Sequence, residues 1–166
     1  ALVKWTPSAG RGQVSEIKFK KDNCRIAIHL IDESYNANPG SMRSALETLT
    51  CIFTNKNKNY VHSRRIAVLG DMLELGPSEV IEHINISKFA KLSRIEQISC
   101  VGLRMRRLYE VLPPSKQGFW TETAEEMQNL LVNKFKNGDI IMIKGSFSMR
   151  MNTIVSELKR LNNLEF

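Results

Sequence analysis

Cysteine is scarce in this chain, long apolar runs are missing, and each shortage removes a class of protein. The three cysteines, Cys24, Cys51 and Cys100, are odd in number and far apart. No Cys-x-x-Cys or neighbouring histidine pair accompanies them, which argues against a disulfide framework, a zinc site or a dithiol redox centre and points to a reducing compartment. No apolar stretch approaches the roughly 18 residues needed to cross a bilayer, and the amino terminus lacks the basic-then-apolar order of a signal peptide. The expectation is a cytoplasmic chain without a membrane partner. Equally absent is Gly-x-x-x-x-Gly-Lys-Ser/Thr, the loop that cradles nucleotide phosphates and supplies a magnesium ligand.

What is present suffices for one domain. The chain has 166 residues, 42% of them hydrophobic, enough for one well-buried core. Its formal charge of +7 suits an acidic partner, either nucleic acid or a phosphorylated small molecule. The basic residues, among them Lys18, Lys20, Lys21, Arg64, Arg65 and Arg104 to Arg107, are dispersed and lack interleaved aromatics on which bases would stack. No nucleic-acid partner is expected.

Periodicity predicts an α/β fold. Val14 to Lys20 alternates apolar and polar residues, Arg25 to Ile31 is an apolar, β-branched run, and Lys21-Asp22-Asn23 between them suggests a hairpin. Short strands then follow at Arg65 to Leu69, Glu96 to Val101, Gly118 to Thr121 and Asp139 to Lys144, each leading into a helical stretch. That alternation predicts a three-layer, Rossmann-like domain: a mostly parallel sheet of about six strands, covered on both faces, with one antiparallel edge strand from the amino-terminal hairpin. Asn38-Pro39 opens a helix whose apolar stripe is Met42, Ala45, Leu46, Leu49 and Phe53. Gly76-Pro77 opens a second, and Thr123 with Glu126 has capping-box spacing before Met127, Leu130, Leu131 and Phe135. A last helix turns Met151, Ile154, Val155, Leu158 and Leu161 inward. Asn55 to Asn59 reads as a loop.

Open parallel sheets bind ligands outside the carboxyl ends of their strands, and three polar clusters fall there. In Asp32 to Asn38, Asp32 could accept from ribose hydroxyls, Tyr35 could pack on a ring, and Asn36 and Asn38 could reach its edge. The plainer reading has Asn38 capping the helix and Tyr35 filling the core. Gly70 to Gly76 contributes Asp71, a partner for an amine or a satisfied loop carboxylate. Lys144, Gly145, Ser146, Phe147 and Ser148 form an anion site from glycine-turn amides and a lysine, or a tight connection with Ser146 or Ser148 as cap. Arg11, between Gly10 and Gly12, is a phosphate contact or a surface arginine. His83 reads as a packed neutral histidine; Trp5 and Trp120 read as core or interface residues.

Together and in order, these pieces resemble the carboxy-terminal domain of the Mur ligases. The pieces are Gly10-Arg11-Gly12-Gln13, the run Asp32 to Met42 with Tyr35-Asn36-Ala37-Asn38-Pro39, Val68 to Gly76, His83, Val101-Gly102, Ile143 to Ser146 and Ser148 to Met151. The Tyr-Asn-Ala-Asn-Pro form is that of the branch that adds D-alanyl-D-alanine. The resemblance implies a reaction in which ATP, with Mg2+, phosphorylates the terminal carboxylate of a UDP-N-acetylmuramoyl-tripeptide and the amine of D-alanyl-D-alanine displaces the phosphate. It implies Arg11 near the nucleotide phosphates, Asp32 on the ribose, Tyr35, Asn36 and Asn38 about the adenine, and Asp71, Lys144, Gly145, Ser146 and Ser148 toward the dipeptide. It also implies that the phosphate loop and the Mg2+ site belong to a preceding central ATPase domain, with a UDP-substrate domain before that. Residues 1–10 would be a residual interdomain linker, residues 1–166 the carboxy-terminal domain, and the isolated chain inactive. Phe147, Asn152 and Ser87 depart from the family's usual arginine, glutamate and glycine. A free-standing nucleotide- or anion-binding module without catalysis, or another amide ligase of the superfamily, are the alternatives.

Overall fold

A computed structural model describes residues 6–52 and 63–164. Trp5, Phe53 and the Asn55 to Asn59 loop expected from the sequence lie outside the described residues.

Strands β1 (Gln13–Lys21) and β2 (Cys24–Glu33) form the expected antiparallel hairpin. Asp22 and Asn23 both take positive φ, 49° and 63°, the backbone hand that a two-residue hairpin loop needs and that Asp and Asn tolerate. Parallel strands β3 (Arg65–Gly70), β4 (Gln97–Val101), β5 (Gln117–Thr121) and β6 (Ile140–Lys144) complete a sheet ordered β1-β2-β6-β3-β4-β5. Every residue of the central strands β3 and β6 is buried, whereas edge strand β1 alternates. This is the pattern of interior strands covered on both faces beside a half-solvated edge.

Among the described residues five α-helices flank the sheet: α1 (Pro39–Cys51), α2 (Glu79–Asn85), α3 (Met105–Val111), α4 (Ala124–Leu131) and α5 (Asn152–Asn162). Met42, Ala45, Leu46 and Leu49 of α1 and Met105 and Leu108 of α3 pack on one face with Ile31, Leu69 and Met142. Met127 and Leu131 of α4 and Ile154, Val155 and Leu158 of α5 pack on the other with Ile28, Val68 and Ile143. Both expected caps form. Asn38 accepts from the Ser41 amide at 2.8 Å while the Ser41 hydroxyl accepts from the Asn38 amide, and Thr123 and Glu126 are paired in the same way.

Two expectations need adjusting at their edges. Phe135 is buried but lies past the end of α4, and Leu130 is exposed. Gly76-Pro77 opens a 3₁₀ turn, and α2 starts only at Glu79. Trp120 packs partly buried against the core, in keeping with its reading as a core or interface residue, and donates its indole N–H to the Gly102 carbonyl at 2.9 Å.

The chain passes from β2 through α1 to β3 and leaves a gap in the sheet that β6 fills last. The connection therefore reverses beside β2 and β6, so their carboxyl ends border the crevice in which such sheets bind ligands.

Candidate functional site

Register builds the centre of the crevice. In the β2–β6 ladder Glu33 is the Cα partner of Lys144, and their charged ends lie 3.7 Å apart. Lys144 also donates to the Asn36 carbonyl at 2.8 Å. Burial lowers the lysine's pKa, with Glu33 opposing the shift. Burial likewise raises that of Glu33, with Lys144 opposing and Asp32 adding to the rise. Each group makes the other's charge tolerable in a partly desolvated place.

A recess of ≈ 360 Å³ opens over this pair, lined by Gly10, Arg11, Glu33, Tyr35, Asn36, Asn38, Ser41 and Lys144. It brings together Arg11, Tyr35, Asn36 and Asn38, and draws in Lys144, which the resemblance placed toward the dipeptide. Glu33 and Ser41 are lining residues the sequence reading missed. Glu33 stands beside Asp32 at the strand end, and the signal that could have found it is its position opposite Lys144 once strand order is known.

Asp32 holds the rim together from beneath. Only 3% exposed, its carboxylate accepts from the Gly10 amide at 2.9 Å, from the Ser34 amide at 3.1 Å and from the Ser34 hydroxyl at 2.6 Å. The loop of Gly10 to Gly12 is further fastened by the Gly12 amide on the Asp32 carbonyl and the Tyr35 amide on the Gly10 carbonyl. A Cβ on Gly10, whose φ is +77°, would come within 2.8 Å of the Tyr35 Cβ. Only glycine lets this loop lie so close to Tyr35.

Arg11 thereby sits with its guanidinium carbon 4.3 Å from the centroid of the Tyr35 ring, within cation–π range. Tyr35 in turn meets Phe147 edge-on, with centroids 5.8 Å apart and planes inclined at 60°.

The second and third clusters are mostly committed to the fold. The Asp71 carboxylate accepts from the Met105 amide at 2.7 Å and the Arg104 amide at 3.3 Å, and the Arg104 guanidinium lies 3.6 Å away. It holds the start of α3 against the end of β3. The Ser146 hydroxyl accepts from the Leu73 amide at 2.9 Å and donates to the Ala37 carbonyl at 3.4 Å, linking all three clusters. It does not cap the turn that follows it. Gly145 is needed for close approach: a Cβ there would lie 2.6 Å from Met151 Cγ and 3.0 Å from Gly70 Cα. Ser148 is exposed on the turn Phe147–Met149. His83 is fully buried; its Nε2 accepts from the Met72 amide and its Nδ1 approaches the Glu79 carbonyl at 2.6 Å. Only the neutral tautomer with hydrogen on Nδ1 satisfies both, which agrees with a packed histidine.

Residues 21–147 match the family model of the Mur ligase, glutamate ligase domain. The chain is similar to the UDP-N-acetylmuramoyl-tripeptide–D-alanyl-D-alanine ligase of Mycobacterium leprae, at 30% identity over 161 residues that take in 90% of this chain and 31% of that protein. It is 27% identical to the ligase of the same name from Rickettsia prowazekii over 88% of this chain and 29% of that one. Among solved structures, MurF of Acinetobacter baumannii superposes with a TM-score of 0.70 at 26% identity, covering 95% of this chain and 32% of that one. MurF ligase of Thermotoga maritima, solved in complex with ADP, shares the fold with a TM-score of 0.71 at 18% identity, over 96% and 33%. The chain thus spans about a third of the length of the curated relatives it matches.

Proposed function

We propose that this chain, which belongs to the Mur ligase, glutamate ligase domain, family, serves as the carboxy-terminal domain of an ATP-dependent ligase joining D-alanyl-D-alanine to UDP-N-acetylmuramoyl-tripeptide in peptidoglycan synthesis. The observation that carries this reading is the recess where β2 and β6 end, with the buried Lys144 paired to a half-buried Glu33 and flanked by Arg11, Tyr35, Asn36 and Asn38. Its polar groups suit a nucleotide: carboxamides for the edge of a base, a carboxylate to accept from ribose hydroxyls and cations for phosphate oxygens.

Within that reading Glu33 is the carboxylate exposed to a ribose, and Asp32, sealed beneath the rim, positions Gly10 and hence Arg11. Lys144 stays with the nucleotide side of the site. In the turn that follows, Phe147 lies on the Tyr35 side, while Gly145, Ser146 and Ser148 lie toward the dipeptide, with Ser148 as the open hydroxyl. Asp71 and Ser146 hold the loops that shape this side.

ATP with Mg2+ would supply the activating phosphoryl group for the tripeptide carboxylate. No phosphate loop occurs in these 166 residues, so this domain's part is to bind, orient and exclude water, while the phosphate loop and Mg2+ site fall to the rest of the ligase. Closure of such a domain over the nucleotide completes the site and protects an activated carboxylate from hydrolysis.

The test is an amide-forming assay on the intact ligase. D-alanyl-D-alanine is expected to be joined and single amino acids refused, whereas preference for a single amino acid assigns the chain to another branch of the superfamily. Glu33→Gln should weaken nucleotide binding, and unchanged affinity would remove Glu33 from the ribose role.

A further inference from the structure

The nucleotide reading leaves one question of surface open: which ring receives the base. Tyr35 lines the recess, yet it is poorly placed to be the stacking face. Arg11 already covers its ring at 4.3 Å, and Phe147 stands against it edge to face. Phe147 is the more open of the two, 68% exposed against 46% for Tyr35.

Such exposure of a phenylalanine is unfavourable in water, and the backbone around it is firmly fixed. Ser146 is tied to Leu73 and Ala37, the Met149 amide bonds the Ser146 carbonyl, and Arg150 closes the turn in the left-handed region at φ 55°. The ring is therefore held outward three residues after Lys144, in contact with a wall of the recess. Tyr35 is the one large apolar side chain among the residues that line the recess, whereas ligand sites normally pair a few polar groups with a larger apolar surface.

We propose that Phe147 supplies the stacking face for the nucleotide's base, with Tyr35 as its buttress and Arg11 held over the Tyr35 ring. This rests on the nucleotide reading of the recess and adds a specificity-determining residue to it. Aromatic side chains stack on any base, so Phe147 contributes affinity for the ring, while Asn36 and Asn38 read its edge.

The experiment is a titration of the intact polypeptide that carries these residues with ADP and, separately, with ring-free tripolyphosphate. Phe147→Ala is expected to weaken ADP by roughly five- to a hundredfold and leave tripolyphosphate affinity unchanged. Phe147→Trp should restore ADP binding, and both variants should keep the parent's urea midpoint because the ring packs little. If Phe147→Ala binds ADP as the parent does, the stacking role is overturned and the nucleotide reading stands. Equal loss of ADP and tripolyphosphate would also overturn it, since the effect would then not belong to the ring. A parent that binds no ADP would overturn both readings together.

Discussion

The Asp32 carboxylate accepts a hydrogen bond from the Gly10 amide at 2.9 Å, across 22 residues of sequence. With it the end of β2 grips the loop that carries Arg11, and the same carboxylate fixes Ser34 through two further bonds. Three hydrogen bonds beneath the rim give the fold its own need of a carboxylate here. Asp32→Ala leaves the Gly10 amide and the Ser34 hydroxyl without their buried acceptor. Hydrogen bonds to charged groups contribute about 1.5–3 kcal/mol, so a loss of that order is expected in urea denaturation. Asp32→Asn, which keeps one acceptor oxygen, should fall between. An unaltered midpoint for the alanine variant would show that the loop is held by other means.

Gly102 is the counterpart on the other side of the sheet. Its φ is +107°, and a Cβ there would run into the Asp71 carboxylate, which holds the start of α3 through the Arg104 and Met105 amides. Gly102→Ala combines backbone strain with displacement of a buried, hydrogen-bonded carboxylate, so a cost of about 2–4 kcal/mol is expected. Gly76→Ala is the control. That residue also has positive φ, but a Cβ there meets nothing within 4 Å, so only the backbone contribution of about 1 kcal/mol should appear. Equal costs at the two positions would dissociate the effect from Asp71.

The parts of this fold legible in sequence are those decided locally. Asp22-Asn23 specifies its hairpin turn, and Asn38 and Thr123 announce helix starts within four residues. The unbroken apolar runs of β3 and β6 mark interior strands. The pairing of Glu33 with Lys144 was hidden because it depends on β6 inserting between β2 and β3, an arrangement no local pattern encodes. Asp32 and Asp71 were visible as strand-end carboxylates, but whether such a group faces a ligand or a backbone amide turns on loops distant in sequence. The exposure of Phe147 beside Tyr35 was equally obscure, since an aromatic after Gly-Ser reads the same buried or exposed.

His29 on β2 faces Glu16 of β1 in register. Burial lowers its pKa, and Glu16 opposes the shift. The unfolded chain takes up a proton near pH 6.5, whereas the folded chain resists until lower pH. Between those values the unfolded state binds more protons, so stability falls as pH drops through this window and is fully present above it. Urea midpoints at pH 7.5, 6 and 5 should decline, and His29→Gln should flatten the decline. An identical slope in the variant would assign the effect to other groups.

Thiol chemistry should separate the cysteines. Cys24 and Cys51 are exposed and Cys100 is buried, its pKa pushed far up chiefly by burial, with Asp71 adding to the rise. Because the thiolate is the reactive form, a chromogenic disulfide reagent should label Cys24 and Cys51 in the native protein, with Cys100 reacting only after denaturation. Prompt labelling of Cys100 in native protein would show that β4 opens far more readily than its packing implies.

The Glu33–Lys144 pair makes the sharpest demand on the site. Each charge is partly desolvated, and the two sit side by side in the parallel ladder. Removing either alone leaves the other with a burial cost and no opposite charge, whereas removing both takes away cost and attraction together. Glu33→Gln and Lys144→Met are therefore expected to be less than additive. The double variant should be more stable than the sum of the single effects predicts, by about 1–3 kcal/mol. Lys144→Met also forfeits the bond to the Asn36 carbonyl at 2.8 Å, so it should be the costlier single change. Denaturation of the four proteins at one pH measures the coupling directly. Strict additivity would mean that the two groups are screened from one another by water, and the recess would then lose the charged centre on which its proposed fit to a nucleotide depends.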